Sequence, residues 1–187
     1  MGFSRSEVTK DKFLGGQLTL MQPREGYRAG IDPVFLAAAI KAHPGDRVLD
    51  LGCGAGAAAL CLGTRVPALR LVGVERQADY AELARINACD NGVDMEVFTA
   101  DIAALPPEVT EESFDQVIMN PPYHLPAQAT TSTDPGREAA MFEGTPLATW
   151  IDAATRRLKP RGFLTVIQKA ERLPEILAGM DDRLGSV

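Results

Sequence analysis

From residue 47 onward the chain alternates short apolar runs with stretches whose apolar positions recur at helical spacing. Arg47-Val48-Leu49-Asp50-Leu51 reads as a first strand, followed by a glycine loop and a helix over 57–62. Residues 69–75 read as a second strand closed by Glu75, and 77–90 as a helix whose mostly apolar face carries Tyr80, Leu83, Ala84 and Ile86. Asn91-Gly92 is a suitable stop for that helix. A third strand over 95–100 ends at Asp101, and Phe114 to Met119 forms a fourth that ends at Asn120. Leu147, Trp150, Ile151, Ala154 and Leu158 then mark a helix stopped by Lys159-Pro160-Arg161-Gly162. A fifth strand over 163–167 and a helix over 172–180 complete the series. Residues 124–140, rich in Thr, Ala and Pro and without periodicity, read as a long mobile loop over the site.

Ahead of this alternation, Gly15-Gly16 with Leu18 and Leu20 predicts a hairpin or edge strand within 13–22. A polar, glycine-rich loop follows at 22–30. Asp32 then serves as N-cap, and Pro33 as first residue, of an alanine-rich helix that runs on over 34–42.

Strands separated by helices imply an α/β chain with a mostly parallel sheet, right-handed crossovers and helices on both faces. Ligands in such sheets bind beyond the carboxyl ends of the strands, near the switch point. Asp50, Glu75, Asp101 and Asn120 end four consecutive strands, so all four are expected on one edge.

The 187 residues suit one domain, with 1–46 as a hairpin and helix extension and 47–187 as the core. Apolar residues make up 45% and charged residues 24%, and no run approaches the ~20 needed to span a bilayer. With no apolar core in the first residues and three cysteines (Cys53, Cys61, Cys89) lacking CxxC spacing, a reduced cytoplasm is expected. Two histidines and no ligand cluster argue against a metal. A net charge of −6 excludes a purely electrostatic nucleic-acid binder. Local basic rims remain available in Arg24, Arg28 and Arg137, and in Arg156, Arg157, Lys159 and Arg161, the second group reading equally as a solvated helix end.

The loop Asp50-Leu51-Gly52-Cys53-Gly54-Ala55-Gly56-Ala57 admits two cofactors. Gly52, Gly54 and Ala57 satisfy a relaxed dinucleotide fingerprint, with Glu75 about 20 residues on for a ribose. S-adenosylmethionine fits better. Asp50 facing the loop suits its ammonium or sulfonium, Glu75 its ribose hydroxyls, and Asp101 with the Ile102 amide its adenine. As single residues, each of these acids reads equally as a turn cap or an exposed strand end.

Asn120-Pro121-Pro122-Tyr123 supplies an amide, two rigid prolines without N–H groups, and a flat ring. The Asn120 side-chain oxygen and the Pro121 carbonyl could hold both hydrogens of an aromatic amine and turn its lone pair toward a methyl donor. Tyr123 would stack on the base, worth about 1–3 kcal/mol. An amide side chain fits the same frame.

With these motifs the chain resembles the class I methyltransferases that carry an Asp/Asn-Pro-Pro-Tyr motif. More closely it resembles the bacterial tRNA (adenine-N6)-methyltransferases acting beside the anticodon of a valine tRNA. The resemblance spans residue 13 to the C-terminus. It rests on Phe13-Leu14-Gly15-Gly16, Gln22-Pro23-Arg24-Glu25-Gly26-Tyr27-Arg28, Asp32 with its apolar helix, the glycine loop, the Asn-Pro-Pro-Tyr motif and Leu158-Lys159-Pro160-Arg161-Gly162. It implies a Rossmann-like fold and catalytic roles for Asn120, Pro121, Pro122 and Tyr123. It also implies a cofactor set of Tyr27, Arg28, Asp32, Asp50, Gly52, Cys53, Gly54, Gly56, Glu75, Arg76, Asp101, Ile102 and Asn120. The expected substrate is a tRNA anticodon loop. Relatives continue into an antiparallel hairpin of two further strands; a truncated core with the fifth strand as an exposed edge, open to self-association, is therefore expected. The alternatives are a release-factor glutamine methyltransferase, whose relatives carry a helical N-terminal domain, and a cofactor-binding fragment without transfer activity.

Overall fold

The computed structural model describes residues 3–123 and 145–185. Strands β1 (Val8–Phe13) and β2 (Leu18–Pro23) form an antiparallel hairpin, and α1 (Asp32–Ala39) follows. The alternating part comprises β3 (Arg47–Leu51), α2 (Ala57–Arg65), β4 (Arg70–Glu75), α3 (Ala78–Asp90), β5 (Met95–Thr99), the short α4 (Pro107–Thr110), β6 (Phe114–Met119), α5 (Leu147–Arg157), β7 (Leu158–Val166) and α6 (Leu173–Gly179).

Five strands pair in the order β5-β4-β3-β6-β7, and every pairing is parallel. Strand order reverses between β3 and β6, which places the ends of those two strands at the switch point. Because successive side chains alternate between faces, Val48, Leu71 and Ile118 pack against α1 and α2, with Leu18 and Leu20 of the hairpin. Leu49, Leu51, Val117 and Met119 pack on the other face against Trp150, Ile151 and Ala154 of α5 and Ile176 of α6. Both faces are dry, which is why these strands read as continuous apolar runs.

The hairpin joins the core through two asparagines one turn apart, Asn87 on α3 and Asn91 at its C-cap. Asn87, 1% exposed, accepts from Met21 N at 2.6 Å and donates to Met21 O at 3.0 Å and Ala55 O at 2.9 Å. Asn91 repeats the pattern on Thr19, accepting from its N at 3.0 Å and donating to its O at 2.8 Å. The i, i+4 spacing on the helix matches the i, i+2 spacing on β2, so two amides stand in for a neighbouring strand.

Several boundaries differ from the sequence pattern. β1 begins at Val8, because Val8-Thr9-Lys10-Asp11-Lys12-Phe13 offers only its end residues as apolar and shows little alternation. Asp32 is not an N-cap: Ile31 holds that position, no side chain caps the helix, and Asp32 lies in the first turn. α1 ends at Ala39, where Arg65 donates to Ala37 O and Ile40 O. α2 runs past Leu62 to Arg65. α4, opened by Pro107, had no periodicity to announce it. β7 starts directly after α5, so the expected stop at 159–162 is an excursion within the strand. Phe114 faces Leu158 and Gln116 faces Phe163, and Arg161 takes φ 69° to accommodate the extra residues. Lys159 does not simply solvate a helix end; its ammonium binds Asp115 at 2.8 Å. β7 lies at one margin of the sheet, with Phe163 61% exposed. The expected loop at 124–140, with Arg137, lies outside the described residues. No helix among the described residues is long and apolar enough to cross a membrane.

Replacing Asn87 by Ala strands the Met21 and Ala55 backbone groups in a buried site, a loss of about 2–4 kcal/mol. Urea unfolding of the Asn87→Ala chain is expected to show a lower midpoint with an unchanged slope.

Candidate functional site

The carboxyl ends of β3, β4, β5 and β6 open into one cleft of about 920 Å³, roofed by the loop after the hairpin and by the start of α1. Asp50, Glu75, Asp101 and Asn120 all line it, as the strand order required. Tyr27, Arg28 and Asp32 face them from the N-terminal side. Gly52, Cys53, Gly54, Arg76, Ile102, Pro121, Pro122 and Tyr123 are also on its wall. Gly56 is not. It takes φ 86° as the residue before α2, its N–H bonds Cys53 O at 2.9 Å, and a Cβ there would meet Leu60 Cδ1 at 3.2 Å. Its part is to turn the chain into the helix.

The glycine loop is short of free donors. Gly52 N and Cys53 N both bond Val74 O, at 2.8 and 3.0 Å, and Gly54 N bonds Glu75 Oε2 at 3.0 Å. A phosphate cradle needs such N–H groups turned toward the ligand. Here the Gly52, Cys53 and Gly54 N–H groups are spent on β4, so these three are not turned toward a phosphate. Gly52 is required for another reason: at φ 69°, a Cβ would lie 2.5 Å from Trp150 Cη2. The indole of Trp150 therefore rests against the loop and reaches the cleft wall.

Asp50 is 3% exposed and Glu75 7%. Burial pushes the Asp50 carboxyl up to about 7 against a single opposing backbone bond from Ala59 N at 3.3 Å, and Glu75 adds like charge. Burial likewise raises Glu75, although Gln77 N at 2.8 Å and Gly54 N stabilise its ionised form. Two buried acids this close favour a cationic ligand, since a positive charge offsets the desolvation of both. The third acid differs: Asp101 caps the turn at Ile102–Ala104 through Ala103 N at 2.9 Å. One of its oxygens is committed locally.

Asn120 sits where β6 leaves the sheet. Its side-chain Oδ1 is buried and has no partner among the described residues. An orphaned acceptor in a buried site costs free energy unless a donor arrives. Its amide acts on the hydroxyls of both Tyr27 and Tyr123, opposing the upward push that burial and Asp32 give them. Tyr123 OH donates to Asp32 Oδ2 at 2.7 Å, so the first turn of α1 grips the end of the motif. Tyr27 is fixed through its backbone, its N–H donating to Tyr80 OH at 2.8 Å and its carbonyl accepting from it at 3.2 Å.

Arg28 lines the cleft while its guanidinium holds Asp11 at 2.7 Å, Pro23 O at 2.6 Å and Thr9. That network closes the loop 24–30 onto the hairpin. Three residues near the site carried no chemical message in the sequence. Trp150 read as helix core, yet its Nε1 is buried without a partner among the described residues and its ring lines the cleft. Tyr80 read as an apolar face. Gln168 follows a strand and donates to Pro121 O at 3.1 Å and Pro122 O at 3.3 Å. The described residues hold no group of His, Cys, Asp and Glu able to bind a metal.

Comparison with known proteins agrees with this geometry. The family profile of the methyltransferase small domain matches residues 30–187. Ribosomal RNA small subunit methyltransferase C of Escherichia coli O17:K52:H18 is 31% identical over 171 residues, covering 88% of this chain and 45% of that protein. The chain thus spans about half the length of the curated relatives it matches. Among solved structures, a predicted O-methyltransferase of Agrobacterium tumefaciens aligns with TM-score 0.61 and 28% identity, over 79% of this chain and 66% of that one. The T. thermophilus 16S rRNA N2 methyltransferase in complex with AdoMet and guanosine aligns with TM-score 0.65 and 21% identity, over 92% of this chain and 45% of that one. The sheet order and helix layers are those of the Rossmann-like class I methyltransferases. With two buried acids and an amide oxygen unpartnered among the described residues around one cleft, the chain belongs to the methyltransferase small domain family, and its cofactor is S-adenosylmethionine.

Proposed function

We propose that this chain methylates the exocyclic amino group of a purine in RNA, namely N6 of the adenine beside the anticodon of a valine tRNA. The observation that carries the reading is the buried Oδ1 of Asn120, unpartnered among the described residues and one residue before the Pro121 carbonyl on the same cleft wall. S-adenosylmethionine supplies an electrophilic methyl group. Asp50 would receive its ammonium, Glu75 the ribose hydroxyls, and Asp101 with the Ile102 N–H the adenine edge. Gly52, Cys53, Gly54 and Arg76 would shape the wall along it.

An aromatic amine is a weak nucleophile because its lone pair is delocalised into the ring. Two acceptors holding its hydrogens turn the lone pair out of that conjugation and toward the methyl carbon. Asn120 Oδ1, without a partner among the described residues, gains a donor, so binding removes a penalty. Bound S-adenosylmethionine would supply the methyl carbon, its carbon–sulfur bond electrons leaving with sulfur as nitrogen takes the methyl. The same two oxygens face the positive charge developing on nitrogen. The alkylated nitrogen then loses a proton to solvent without a dedicated base.

Tyr123 stands beside this point as the stacking surface for the base. Its hydroxyl bond to Asp32 fixes the ring's far end, which supports a platform role over an acid–base one. An anticodon loop offers an accessible base at little unstacking cost. The segment 22–32, which the resemblance to adenine-N6 enzymes rests on, roofs the cleft and so supports that substrate. A second reading, N2 of a guanine in small-subunit ribosomal RNA, takes its RNA from the name of the 31% identical relative and its atom from that of the T. thermophilus structure. A glutamine amide fits the two acceptors as well, but none of the relatives named above is a protein glutamine methyltransferase.

The assay is nucleoside mass spectrometry after incubating the chain with labelled cofactor and unmodified bulk tRNA, small-subunit rRNA or release factor. N6-methyladenosine from tRNA is expected; N2-methylguanosine from rRNA would install the second reading instead. Asn120→Ala is expected to lower transfer by about 100-fold or more, on the scale of removing one oriented polar group from a reacting centre. Equal transfer by both proteins refutes the assignment of Asn120.

Cofactor affinity should also depend on pH. The Asp50 carboxyl, pushed up to about 7, is largely protonated at pH 6 and largely ionised at pH 8. Affinity for S-adenosylhomocysteine, which carries the same ammonium, is expected to rise across that interval by calorimetry. Stability of the free chain runs the other way. An acid whose folded value is raised stabilises the fold below its unfolded value near 3.8, and that contribution is lost as pH rises through about 7. The thermal upshift on adding ligand should therefore grow from pH 6 to pH 8, and a flat profile in the Asp50→Asn chain would trace both effects to this residue.

A further inference from the structure

The corner after β6 is poor in its own hydrogen bonds. Pro121 and Pro122 have no N–H, so two successive peptide units cannot donate to anything that would hold the turn. Their carbonyls remain, and these are the acceptors that matter for an amine. Something outside the corner must set their direction.

The described structure shows what does. β7 pairs with β6 in parallel, with Val166 opposite Met119, and Ile167 N continues the ladder by donating to Met119 O at 3.2 Å. One residue further, Gln168 reaches across with its side chain. Its Nε2 donates to Pro121 O at 3.1 Å and to Pro122 O at 3.3 Å. Its Oε1 accepts from Lys169 N at 2.9 Å, which fixes which end of the amide faces the prolines. The Lys169 ammonium lies 5.9 Å from the centroid of the Tyr123 ring, so the same dipeptide touches three of the four motif residues. The register that delivers Gln168 depends on the excursion at 159–162. Without those extra residues opposite Phe114 to Gln116, a different side chain would face the prolines.

We propose that Gln168 is a positioning residue for methyl transfer: its side-chain amide orients the Pro121 and Pro122 carbonyls so that Pro121 O and Asn120 Oδ1 converge on one amine. The inference rests on the reading of those two oxygens as the amine's acceptors. A carbonyl has two lone pairs, so Pro121 O can take the Gln168 donor and still accept from a substrate. The first bond restricts where the second can lie. It also polarises the carbonyl modestly through the shared hydrogen-bond chain.

Gln168→Glu keeps the shape and removes both N–H donors; Gln168→Ala removes the contact altogether. Both variants are compared with the unsubstituted chain and with Asn120→Ala. Five quantities are measured: S-adenosylhomocysteine affinity, melting temperature, kcat and KM on bulk tRNA, and binding of free adenosine to the S-adenosylhomocysteine-loaded chain by NMR titration. Affinity for S-adenosylhomocysteine within about twofold is expected, because Gln168 lies off the cofactor's wall, with a nearly unchanged melting temperature. The expected loss is in kcat, about 10-fold, the size of one well-aligned hydrogen bond, with KM changed far less. Adenosine binding should weaken by a similar factor in both variants, which decides the matter even where turnover falls below detection.

Unchanged kcat and adenosine binding in Gln168→Glu, while Asn120→Ala loses both, overturns the role of Gln168 and leaves the acceptor reading standing. Losses that track a lower melting temperature and weaker S-adenosylhomocysteine binding overturn it in favour of a structural role. No effect of Asn120→Ala on either quantity removes the acceptor reading itself, and the inference with it.

Discussion

The Asn87 side chain ties three walls of the cleft to one buried point. Its amide completes the backbone of β2 at Met21 and, through Ala55 O, reaches the glycine loop, while its own backbone belongs to α3. The loop after the hairpin brings Tyr27, Arg28 and Asp32 over the sheet edge, and the Asn87 connection, with Asn91 and the buried Leu18 and Leu20, holds β2 at the height of the acids. Asn91 secures the register, because a one-residue slip of β2 would leave both amides facing side chains instead of peptide groups. The cost of burying an amide is recovered only when every donor and acceptor is met, as it is at Asn87.

On that frame the chemistry is set by groups left unsatisfied. Asp50 and Glu75 are buried as acids, and the Asn120 Oδ1 acceptor is buried without a donor among the described residues. Each lowers the stability of the free chain, and each is matched by a feature of the ligands proposed to bind there. Such strain at a site is the usual conflict between stability and function. The glycine loop shows the reverse arrangement. Gly52 N, Cys53 N and Gly54 N are satisfied by β4 and Gly56 N by Cys53 O, so this part of the loop presents shape and carbonyl oxygens to the cleft.

The Asn-Pro-Pro-Tyr corner is stiff in φ but weakly tied by its own backbone. α1 holds it at one end through Asp32 and Tyr123 OH, and the segment after β7 holds it through Gln168. The hairpin extension and the last strand are far apart in sequence. They meet at the motif because the strand order reverses between β3 and β6.

The sequence by itself determined the strand–helix alternation, the strand ends at Glu75 and Met119, and therefore the meeting of Asp50, Glu75, Asp101 and Asn120 on one edge. Those follow from local periodicity and from the geometry of parallel sheets, which need no knowledge of particular contacts. β1, α4 and the long β7 were illegible because their residues are polar, few or interrupted by proline, and their stability comes from partners elsewhere in the chain. The same reason hid the work of Asn87, Trp150 and Gln168, whose residue types occur as readily on surfaces or in plain core. It also left Asp32 misread as a cap, since its carboxylate is oriented by Tyr123, 91 residues away. Hydrogen-bond partners remote in sequence, and the burial that leaves an acceptor without one, exist only once the chain has closed on itself; that is the part the tertiary structure decided.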